Sequence, residues 1–383
     1  MYGGFRLGYL DKGNVIYSQI LSLLIVNILT YLQIALLSYG FPAISPFIVL
    51  MVCDVVAVFV WTNFYDIIYR SLFPPSKLIM IFGRIPSAKM IEKIRKRKNQ
   101  YILDEIISIA EDRTKIIKMV EQHDSVILWD IETKDRNELL KFCFENSIRV
   151  YITPKISDII VKGAEEMHTF DTPLLLTRNS GLTIEQKCLK RLIDIVVSLL
   201  IVLLASPIML LTAILVKVYD GGPVIYKQKR LTMDAKEFYV YKFRSMDVEA
   251  EKDGIARLAV SRDSRITPVG KVIRMLRIDE LPQLWNILEG NMSLVGPRPE
   301  RPEIAEKYQE YLPQFKMRLK VKAGLTGYAQ VFGKYNTTPY DKLKLDITYI
   351  QNYSILLDLK IMVLTVKILF MRESSEGVDG EDN

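Results

Sequence analysis

Histidine and cysteine are scarce in this chain. The only histidines are His123 and His168, and the only cysteines are Cys53, Cys143 and Cys188, so neither type occurs after residue 188. Three cysteines without a pattern argue against a disulfide framework and indicate reducing surroundings. An enzyme in the C-terminal half would therefore work without a histidine base, a cysteine nucleophile or a zinc site. Carboxylates, Lys, Arg, Ser, Thr and Tyr remain, and carboxylates suit a hard cation such as Mg²⁺.

The balance of charge also narrows the choice of partners. The chain has 383 residues, half of them hydrophobic, and a formal net charge of +7. This length predicts two or three domains, and the charge suits an anionic membrane surface and anionic substrates. Nucleic acid is not expected as a partner, because no dense array of basic and aromatic residues occurs. No cleavable signal peptide is evident at the start.

Two long apolar runs predict a transmembrane hairpin within residues 1–72. The runs cover 15–39 and 44–68, with a turn at Gly40-Phe41-Pro42 between them, and each is long enough to cross a bilayer. Asp54 lies inside the second run, where we expect it to pair, to cap or to sit near the interface. Basic residues concentrated between Arg84 and Lys98 place the following chain in the cytoplasm by the positive-inside rule.

Residues 77–180 alternate between strand-like and helix-like patterns, which predicts a Rossmann-like module with a parallel sheet. Gly83 is the only glycine in the turn after the first strand, so the Gly-x-Gly-x-x-Gly fingerprint is absent and dinucleotide binding is not supported. A regulatory or structural role is favoured. The predicted strands are 78–82, 125–130 and 149–153, and the predicted helices are 87–98 and 135–146.

A third apolar run, from Ile195 to Val216, is also long enough to cross a membrane. Basic residues flank it on both sides, and positive charge marks the cytoplasmic face. Ser206-Pro207 lies near its middle, where proline removes a backbone donor and bends a helix, while the serine hydroxyl can return a hydrogen bond to the freed carbonyl. We predict a re-entrant helix that enters and leaves on the same side.

The stretch from Arg274 to Pro299 carries the adjacent carboxylates Asp279 and Glu280 between basic residues. Apolar residues at helical spacing predict amphipathic helices over 270–290 and 301–320, on which neighbouring side chains point about 100° apart. Taken alone, an acidic pair at a helix start is more often a cap or a dipole partner. We further expect a charged, mobile segment over 247–265, an interfacial helix over 357–370 and a disordered acidic tail over 373–383.

The sequence from Asp279 to Glu300 resembles the signature of the bacterial sugar transferases, the monotopic polyprenyl-phosphate hexose-1-phosphate transferases. Supporting segments lie in the same order on both sides, and the resemblance covers about residues 187–372. The long forms of this family carry four membrane spans before a Rossmann-like module, whereas this sequence shows two. The shared segments are Lys190-Arg191-Leu192-Ile193-Asp194, Ser206-Pro207, Tyr241-Lys242-Phe243-Arg244-Ser245-Met246, Gly324-Leu325-Thr326-Gly327 and Asp346-x-x-Tyr349.

The resemblance implies a mainly helical, monotopic catalytic domain that uses a UDP-sugar donor and undecaprenyl phosphate as acceptor. It implies that Asp279 attacks the β-phosphorus, that a phosphosugar intermediate forms on the enzyme, and that UMP leaves. Glu280 would hold Mg²⁺. Glucose and galactose are the expected sugars, and the product would begin a surface polysaccharide such as exopolysaccharide, capsule or O-antigen. The expected substrate contacts are Lys242, Arg244, Arg274, Arg298, Asp346 and, in the turn with Arg298, Pro297. Asp346 would assist either the metal or the sugar hydroxyls. The alternatives are a surface strand for Lys242 and Arg244 and a helix cap for Asp346.

The expected location is the bacterial inner membrane, with the catalytic domain in the cytoplasm against inner-leaflet lipid. A second copy of the chain is a further candidate partner. Two rival functions stay open at this point: hydrolysis of the nucleotide sugar by the same acidic pair, and a membrane-bound sensor whose α/β module binds a ligand beside a pseudoenzyme. The intact Asp279-Glu280 pair and both arginines argue against the sensor.

Overall fold

A computed structural model describes residues 12–168, 171–177, 182–247, 265–333 and 337–369 of the chain. Most of the predicted charged segment 247–265 and the predicted tail 373–383 lie outside these residues. The chain divides into two compact units, Met1–Thr153 and Pro154–Asn383. The domain bounds predicted from the sequence, 1–72, 77–180, 187–372 and 373–383, stay a prediction.

The first unit begins with two helices that are long and apolar enough to cross a membrane, α1 (Lys12–Leu37) and α2 (Ser45–Leu72). Polar side chains join them: Asn27 Nδ2 donates to Asp54 Oδ2 at 2.7 Å. This contact confirms that Asp54 pairs with a neighbour, as expected for a carboxylate in an apolar run.

A four-stranded parallel sheet in the order β2-β1-β3-β4 completes the first unit and confirms the predicted α/β module. The inner strand β1 (Ser76–Phe82) is buried on both faces. Ile79 and Ile81 pack into one apolar cluster, and Leu78 and Met80 pack into another. Such burial explains why its sequence is continuously apolar rather than alternating. The elements are β1 (Ser76–Phe82), α3 (Ala88–Arg95), β2 (Tyr101–Ser108), α4 (Arg113–Glu121), β3 (Ser125–Trp129), α5 (Thr133–Glu145) and β4 (Arg149–Ile152).

The second unit is mainly helical and has only two-stranded sheets among the residues described. β5 pairs with β6 and β7 with β8, both antiparallel, while β9 and β10 are parallel. The elements are α6 (Ile156–Lys162), β5 (Glu165–Met167), β6 (Leu174–Leu176), α7 (Ile184–Asp220), β7 (Ile225–Leu231), β8 (Glu237–Phe243), α8 (Pro268–Met275), α9 (Gln283–Glu289), β9 (Met292–Val295), α10 (Pro302–Tyr311), β10 (Ala323–Thr326), α11 (Tyr328–Phe332), α12 (Pro339–Gln351) and α13 (Ile355–Leu369).

Helix α7 contains the predicted break and is the third helix that is long and apolar enough to cross a membrane. It begins at a Thr183 cap, ends at Gly221 in the left-handed conformation, and continues through Pro207. Proline cannot donate to the carbonyl of Leu203 four residues earlier, and Ser206 Oγ donates to that oxygen instead at 2.8 Å. The predicted role of the Ser206 hydroxyl is confirmed, whereas re-entry stays a prediction.

The expected continuous helices over 270–290 and 301–320 are wrong. α8 ends at Met275, Arg277 has a left-handed φ of 53°, and a 3-10 turn (Ile278–Glu280) precedes α9. A left-handed residue cannot continue a right-handed helix. Likewise α10 ends at Tyr311 and gives way to a 3-10 helix (Pro313–Lys320), because the residue before a proline is forced out of the helical conformation.

Candidate active site

The two adjacent carboxylates lie on the 3-10 turn between α8 and α9. Asp279 is 9% exposed, and α9 is anchored behind it by Leu284 and Ile287, both completely buried. Successive residues of a 3-10 helix point about 120° apart. Asp279 and Glu280 can therefore have different surroundings although they are neighbours.

Glu280 lies among three cations. Its Oε1 accepts from Arg298 Nη2 at 2.7 Å and Lys242 Nζ at 3.3 Å, and its Oε2 lies 3.9 Å from Arg277 Nη1. Burial would raise the pKa of Glu280, but the charges of these cations outweigh burial and hold the pKa below its usual value. Glu280 is therefore ionised throughout the neutral range.

Asp279 has no such partners. Within the part of the chain that the structure describes, its side chain accepts no hydrogen bond and forms no ion pair. Burial, and then the charge of Glu280, raise the pKa of Asp279 to about 6, against the opposing charges of Lys242 and Arg274. Near neutral pH Asp279 is thus a mostly ionised carboxylate with its oxygens uncommitted, which is the state that a nucleophile needs.

The loop from Gly296 to Glu300 carries Arg298 and is hydrogen-bonded at every residue. Gly296 N donates to Thr326 O at 2.8 Å. The carbonyl oxygen of Pro297 accepts from Gly324 N at 2.9 Å, and that of Arg298 from Arg318 Nη2 at 2.9 Å. The carbonyl oxygen of Pro299 accepts from Arg230 Nη1 at 3.1 Å, and that of Glu300 from Leu231 N at 3.0 Å. The backbone on which Arg298 stands is therefore fixed before any substrate arrives.

Close contact between β9 and β10 supports this loop. A Cβ on Gly324 would lie 2.1 Å from Gly296 N, and a Cβ on Gly296 would lie 2.4 Å from Lys322 O. No side chain fits at either position. Gly296-Pro297 and Gly324-Leu325-Thr326-Gly327 thus belong to one backbone junction, although they are nearly thirty residues apart in the sequence.

Strand β8 positions Lys242. The completely buried side chain of Asn286 accepts from Tyr241 N at 3.0 Å and donates to Tyr239 O at 2.8 Å, which ties this strand to α9. Two residues further on, Arg244 makes a different contact: its guanidinium pairs with Asp220 at the end of α7. The structure therefore brings Lys242, but not Arg244, to Glu280.

The remaining predicted residues occupy different positions. The charge of Arg274 acts on Asp279. Pro297 lies in the loop before Arg298. Asp346 is 1% exposed, and its Oδ2 accepts from Arg318 Nε at 2.9 Å.

The sequence analysis did not single out several side chains that organise this site. Asn286 lies inside the recognised motif and Arg277 lies two residues before it, and these positions were a usable signal. Arg230 and Arg318 lie outside it and act on backbone carbonyls, for which no sequence pattern exists.

The side chains at this site limit the kind of metal ion that could bind here. The described residues contain no group of three or more His, Cys, Asp or Glu side chains able to hold a metal ion. In phosphoryl-transfer sites Mg²⁺ commonly takes one or two carboxylates, with waters and substrate phosphates as the other ligands. Asp279 and Glu280 fit a site of that kind, in which the substrate must complete the coordination.

Comparison with known proteins identifies the segment that holds this site. Residues 185–372 match the family described as bacterial sugar transferase. Over 190 residues the chain is 40% identical to an uncharacterized sugar transferase, EpsL, of Bacillus subtilis, and the match covers 50% of this chain and 90% of that protein. The chain belongs to the bacterial sugar transferase family.

Two longer relatives have named activities. A UDP-glucose:undecaprenyl-phosphate glucose-1-phosphate transferase of Klebsiella pneumoniae is 42% identical over 56% of this chain and 45% of its own length. A UDP-N-acetylgalactosamine-undecaprenyl-phosphate N-acetylgalactosaminephosphotransferase of Aeromonas hydrophila is 42% identical over 47% of this chain and 43% of its own length. The chain thus spans less than half the length of these two relatives.

Every site residue of this family member lies inside the matched segment. Lys242, the acidic pair and Arg298 come from three separate parts of the matched segment, and the supporting residues Arg230 and Arg318 also lie within it. The parallel sheet of the first unit lies outside the match. The match to the family model therefore leaves the role of the α/β module open.

Proposed function

We propose that this sugar transferase moves a hexose-1-phosphate from a UDP-sugar to undecaprenyl phosphate, releases UMP and so begins a surface polysaccharide. UDP-glucose and UDP-galactose are the first donors to test, and the named relatives add UDP-N-acetylgalactosamine. The observation that carries the proposal is the division of labour in the acidic pair: Glu280 is committed to cations, while Asp279 has none within ion-pair distance among the residues described.

The reaction is a double displacement. An oxygen of Asp279 forms a bond to the β-phosphorus of the donor while the bond from that phosphorus to the bridging oxygen breaks, and UMP leaves with that oxygen and the electron pair. An acyl-phosphate sugar remains on the enzyme. A phosphate oxygen of undecaprenyl phosphate then attacks the same phosphorus, which restores the Asp279 carboxylate and gives the undecaprenyl-diphosphate sugar.

Electrostatics lowers the barrier for both displacements. The side chain of Arg298 is 44% exposed, so its guanidinium can reach a phosphate while it contacts Glu280. Lys242 and Arg274 add positive charge on the other elements of the site. Fixed cations of this kind stabilise the charge that spreads over phosphoryl oxygens in the transition state.

Magnesium forms part of the proposal, with Glu280 as its protein ligand. When bound, the ion would screen the diphosphate and stabilise the charge that leaves with UMP. Glu280 supplies a permanently ionised oxygen donor, which suits this hard cation. Lys242 and Arg298 keep that donor in place.

The membrane geometry that we propose places the chemistry at the headgroup plane on the cytoplasmic side of the inner membrane. Both ends of α7 are attached to the same compact unit. Lys190 Nζ lies 2.6 Å from Asp358 Oδ2 near its start, and Asp220 pairs with Arg244 at its end. A spanning helix would separate these attachments by about 30 Å of hydrocarbon, so a helix that re-enters fits better.

Product analysis tests the reaction. Purified enzyme with Mg²⁺ is given each of the three UDP-sugars, with and without undecaprenyl phosphate. We expect UMP and a lipid-linked sugar phosphate for at least one donor. Free sugar phosphate in equal yield without the lipid would identify a hydrolase, and no turnover of any nucleotide sugar would favour the sensor.

Cysteine labelling tests the re-entrant helix. In a variant without native cysteines, single cysteines replace Glu185, before the apolar part of α7, and Lys227, after it. Both positions are exposed. In intact cells both should resist an impermeant thiol reagent and react after permeabilisation. Labelling of Lys227→Cys alone from outside would show that α7 spans the membrane.

A further inference from the structure

Arg298 depends on a support that lies behind the active site. Its half-exposed guanidinium contacts Glu280, yet the contacts that fix its position are made by its own backbone. Its carbonyl oxygen accepts from Arg318 Nη2 at 2.9 Å. Arg318 itself is only 3% exposed, so its side chain is too deeply buried to contact a substrate.

Neighbouring residues contact the guanidinium of Arg318 at its nitrogens and at one face. Its Nε donates to Asp346 Oδ2 at 2.9 Å, its Nη1 lies 3.4 Å from Glu300 Oε1, and its guanidinium carbon lies 4.9 Å from the centre of the Phe315 ring. Each nitrogen of the guanidinium, and one of its faces, is thus used by a neighbour. One edge is directed at the backbone of the residue that clamps Glu280.

We infer that Arg318 and Asp346 are positioning residues that act on the reaction through Arg298. Asp346 orients the guanidinium of Arg318, Arg318 holds the carbonyl of Arg298, and the side chain of Arg298 thereby meets Glu280 beside the nucleophile. This role rests on the proposed phosphosugar transfer. It gives Asp346 a function behind the loop instead of a contact with the sugar.

The chemistry favours arginine in this place. A guanidinium has five donors in a fixed plane, so one side chain can bind a carboxylate along one edge and a carbonyl along another. A lysine could serve one of these acceptors at a time. Misplacing a catalytic group by about 1 Å can cost on the order of 10²-fold in rate.

The test separates positioning from simple support of the fold. Breaking a buried ion pair by removing one partner leaves a buried charge, whereas replacing both partners with apolar residues is often neutral for stability. Glu300, the remaining carboxylate beside Arg318, has a side chain that is 20% exposed and keeps access to water. The double variant Arg318→Met/Asp346→Leu should therefore melt near the wild-type temperature. We expect the kcat of the double variant to be about 10²-fold lower than that of the wild type, and its KM for the UDP-sugar to change little.

Ile347→Ala is the matched control. Ile347 is the next residue of α12, is 3% exposed and packs in the core beneath the same network, but makes no contact with Arg298. Its truncation should lower the melting temperature and leave kcat within about threefold below that temperature. Wild-type kcat in the double variant, or an equal loss in Ile347→Ala, would overturn the inference.

A measurement without turnover separates this inference from the proposed reaction. Gly324 and Leu231 donate backbone hydrogen bonds to the carbonyls of Pro297 and Glu300, on either side of Arg298. Their amide hydrogens should exchange faster in the double variant and not in Ile347→Ala. Unchanged exchange would refute the support of the loop even if the enzyme transfers sugar. Faster exchange with an inactive wild type would instead refute the transfer reaction alone.

A double-mutant cycle supplies the last readout. In an Arg298→Lys background the guanidinium contact with Glu280 is already lost. If Arg318 acts only through Arg298, adding Arg318→Met to that background should lower kcat by less than about twofold. If the two substitutions together lower kcat by the product of their separate effects, Arg318 acts independently of Arg298.

Discussion

The parallel sheet of the first unit and the backbone junction of the second are stabilised in different ways. The central strand β1 is surrounded by apolar side chains, and no charged side chain is buried within it. The junction of β9, β10 and the loop at Arg298 has two short strands, but buried or partly buried Arg318, Asp346 and Glu280 adjoin it. Burial of apolar area holds the first region, whereas in the second region directed contacts between charges and backbone are added to an apolar core.

This difference bears on precision. Apolar packing tolerates small shifts, because it has no direction. A guanidinium that contacts a carboxylate and a carbonyl at once fixes both in distance and in angle. The proposed reaction needs the attacking carboxylate oxygen, the phosphorus and the leaving oxygen in line, with cations fixed beside them. A region rich in directed contacts suits this need, whereas the sheet is suited to being a stable scaffold.

The largest expected effect is on turnover in Asp279→Asn, where an amide replaces the proposed nucleophile. We expect turnover to fall by at least about 10³-fold. The folded-state pKa of Asp279, about 6, lies above the value of the unfolded chain, so the stability that its protonated form contributes is lost as the pH rises toward 6. At pH 7 the uncharged variant should therefore be as stable as the wild type or more stable, by up to about 3 kcal/mol.

Product assays and thermal unfolding in detergent check this variant together. Turnover within tenfold of the wild type would remove Asp279 as the nucleophile. A marked fall in melting temperature would instead show that the carboxylate supports the fold.

Glu280→Gln is the matched substitution, and its effect on stability should have the opposite sign. The pKa of Glu280 is held low by Arg298 and Lys242, so its charge stabilises the fold at every pH above its usual range. Losing that charge leaves the cations unbalanced and should cost about 3 kcal/mol. We expect about 10²-fold lower turnover, measured where the variant remains folded.

The wild-type enzyme treated with EDTA gives the control for the metal. Turnover should disappear and return on adding Mg²⁺. Full turnover in chelator would contradict magnesium, whereas equal stability of Glu280→Gln and Asp279→Asn would contradict the difference in their surroundings.

Two glycines test the contrast between the regions directly. A Cβ on Gly83, after β1, would lie 2.1 Å from Asp130 O, and a Cβ on Gly324, in β10, would lie 2.1 Å from Gly296 N. Each alanine forces the backbone to move, at a typical cost of about 1–3 kcal/mol. Gly324→Ala should also lower kcat about 10²-fold by displacing the loop of Arg298, whereas Gly83→Ala should leave kcat within about twofold.

Thermal unfolding and kcat, measured on both variants, decide this comparison. A loss of kcat in Gly83→Ala as large as in Gly324→Ala would show that the sheet controls the active site.

The smallest effect is a dependence on pH. Because Asp279 must be ionised to attack, kcat/KM should fall tenfold for each pH unit below about 6 and level off above it. Glu280 stays ionised over this range and adds no second step. The pH–rate profile is measured beside melting curves at each pH, and a fall that begins only near pH 4 would contradict the raised pKa of Asp279.

The fold could be read from the sequence wherever burial leaves a pattern. Continuous apolar runs predicted β1 and the helices α1 and α2 within a few residues. Hydrophobic spacing failed between Met275 and Gln283, because apolar residues on both sides of Arg277 keep helical spacing while the left-handed backbone of Arg277 breaks the helix. Spacing records which side chains are buried and does not record a change in backbone direction.

The motif names the candidate residues of the site, and Asp279, Glu280, Lys242 and Arg298 lie together in the structure. The roles that the resemblance implies for them stay predictions. Arg244 pairs with Asp220, a partner on another element that alternation in a strand cannot reveal, and its expected contact with the substrate stays a prediction, as does that of Pro297. For Asp346, the buried contact with Arg318 favours support of the loop over contact with a substrate.

The buried contact between Lys190 and Asp358 has a consequence for biosynthesis. Both side chains are less than a tenth exposed, and they join α7, near the start of its apolar run, to α13 close to the end of the described chain. Tyr349 shares the same cluster and donates to Asp358 at 2.8 Å. The second unit therefore cannot close its core until α7 has received α13, because these two partners are 168 residues apart in the chain. We expect any insertion of α7 into lipid to precede or accompany that closure. A fragment that begins after Gly221 would retain a buried aspartate without its lysine.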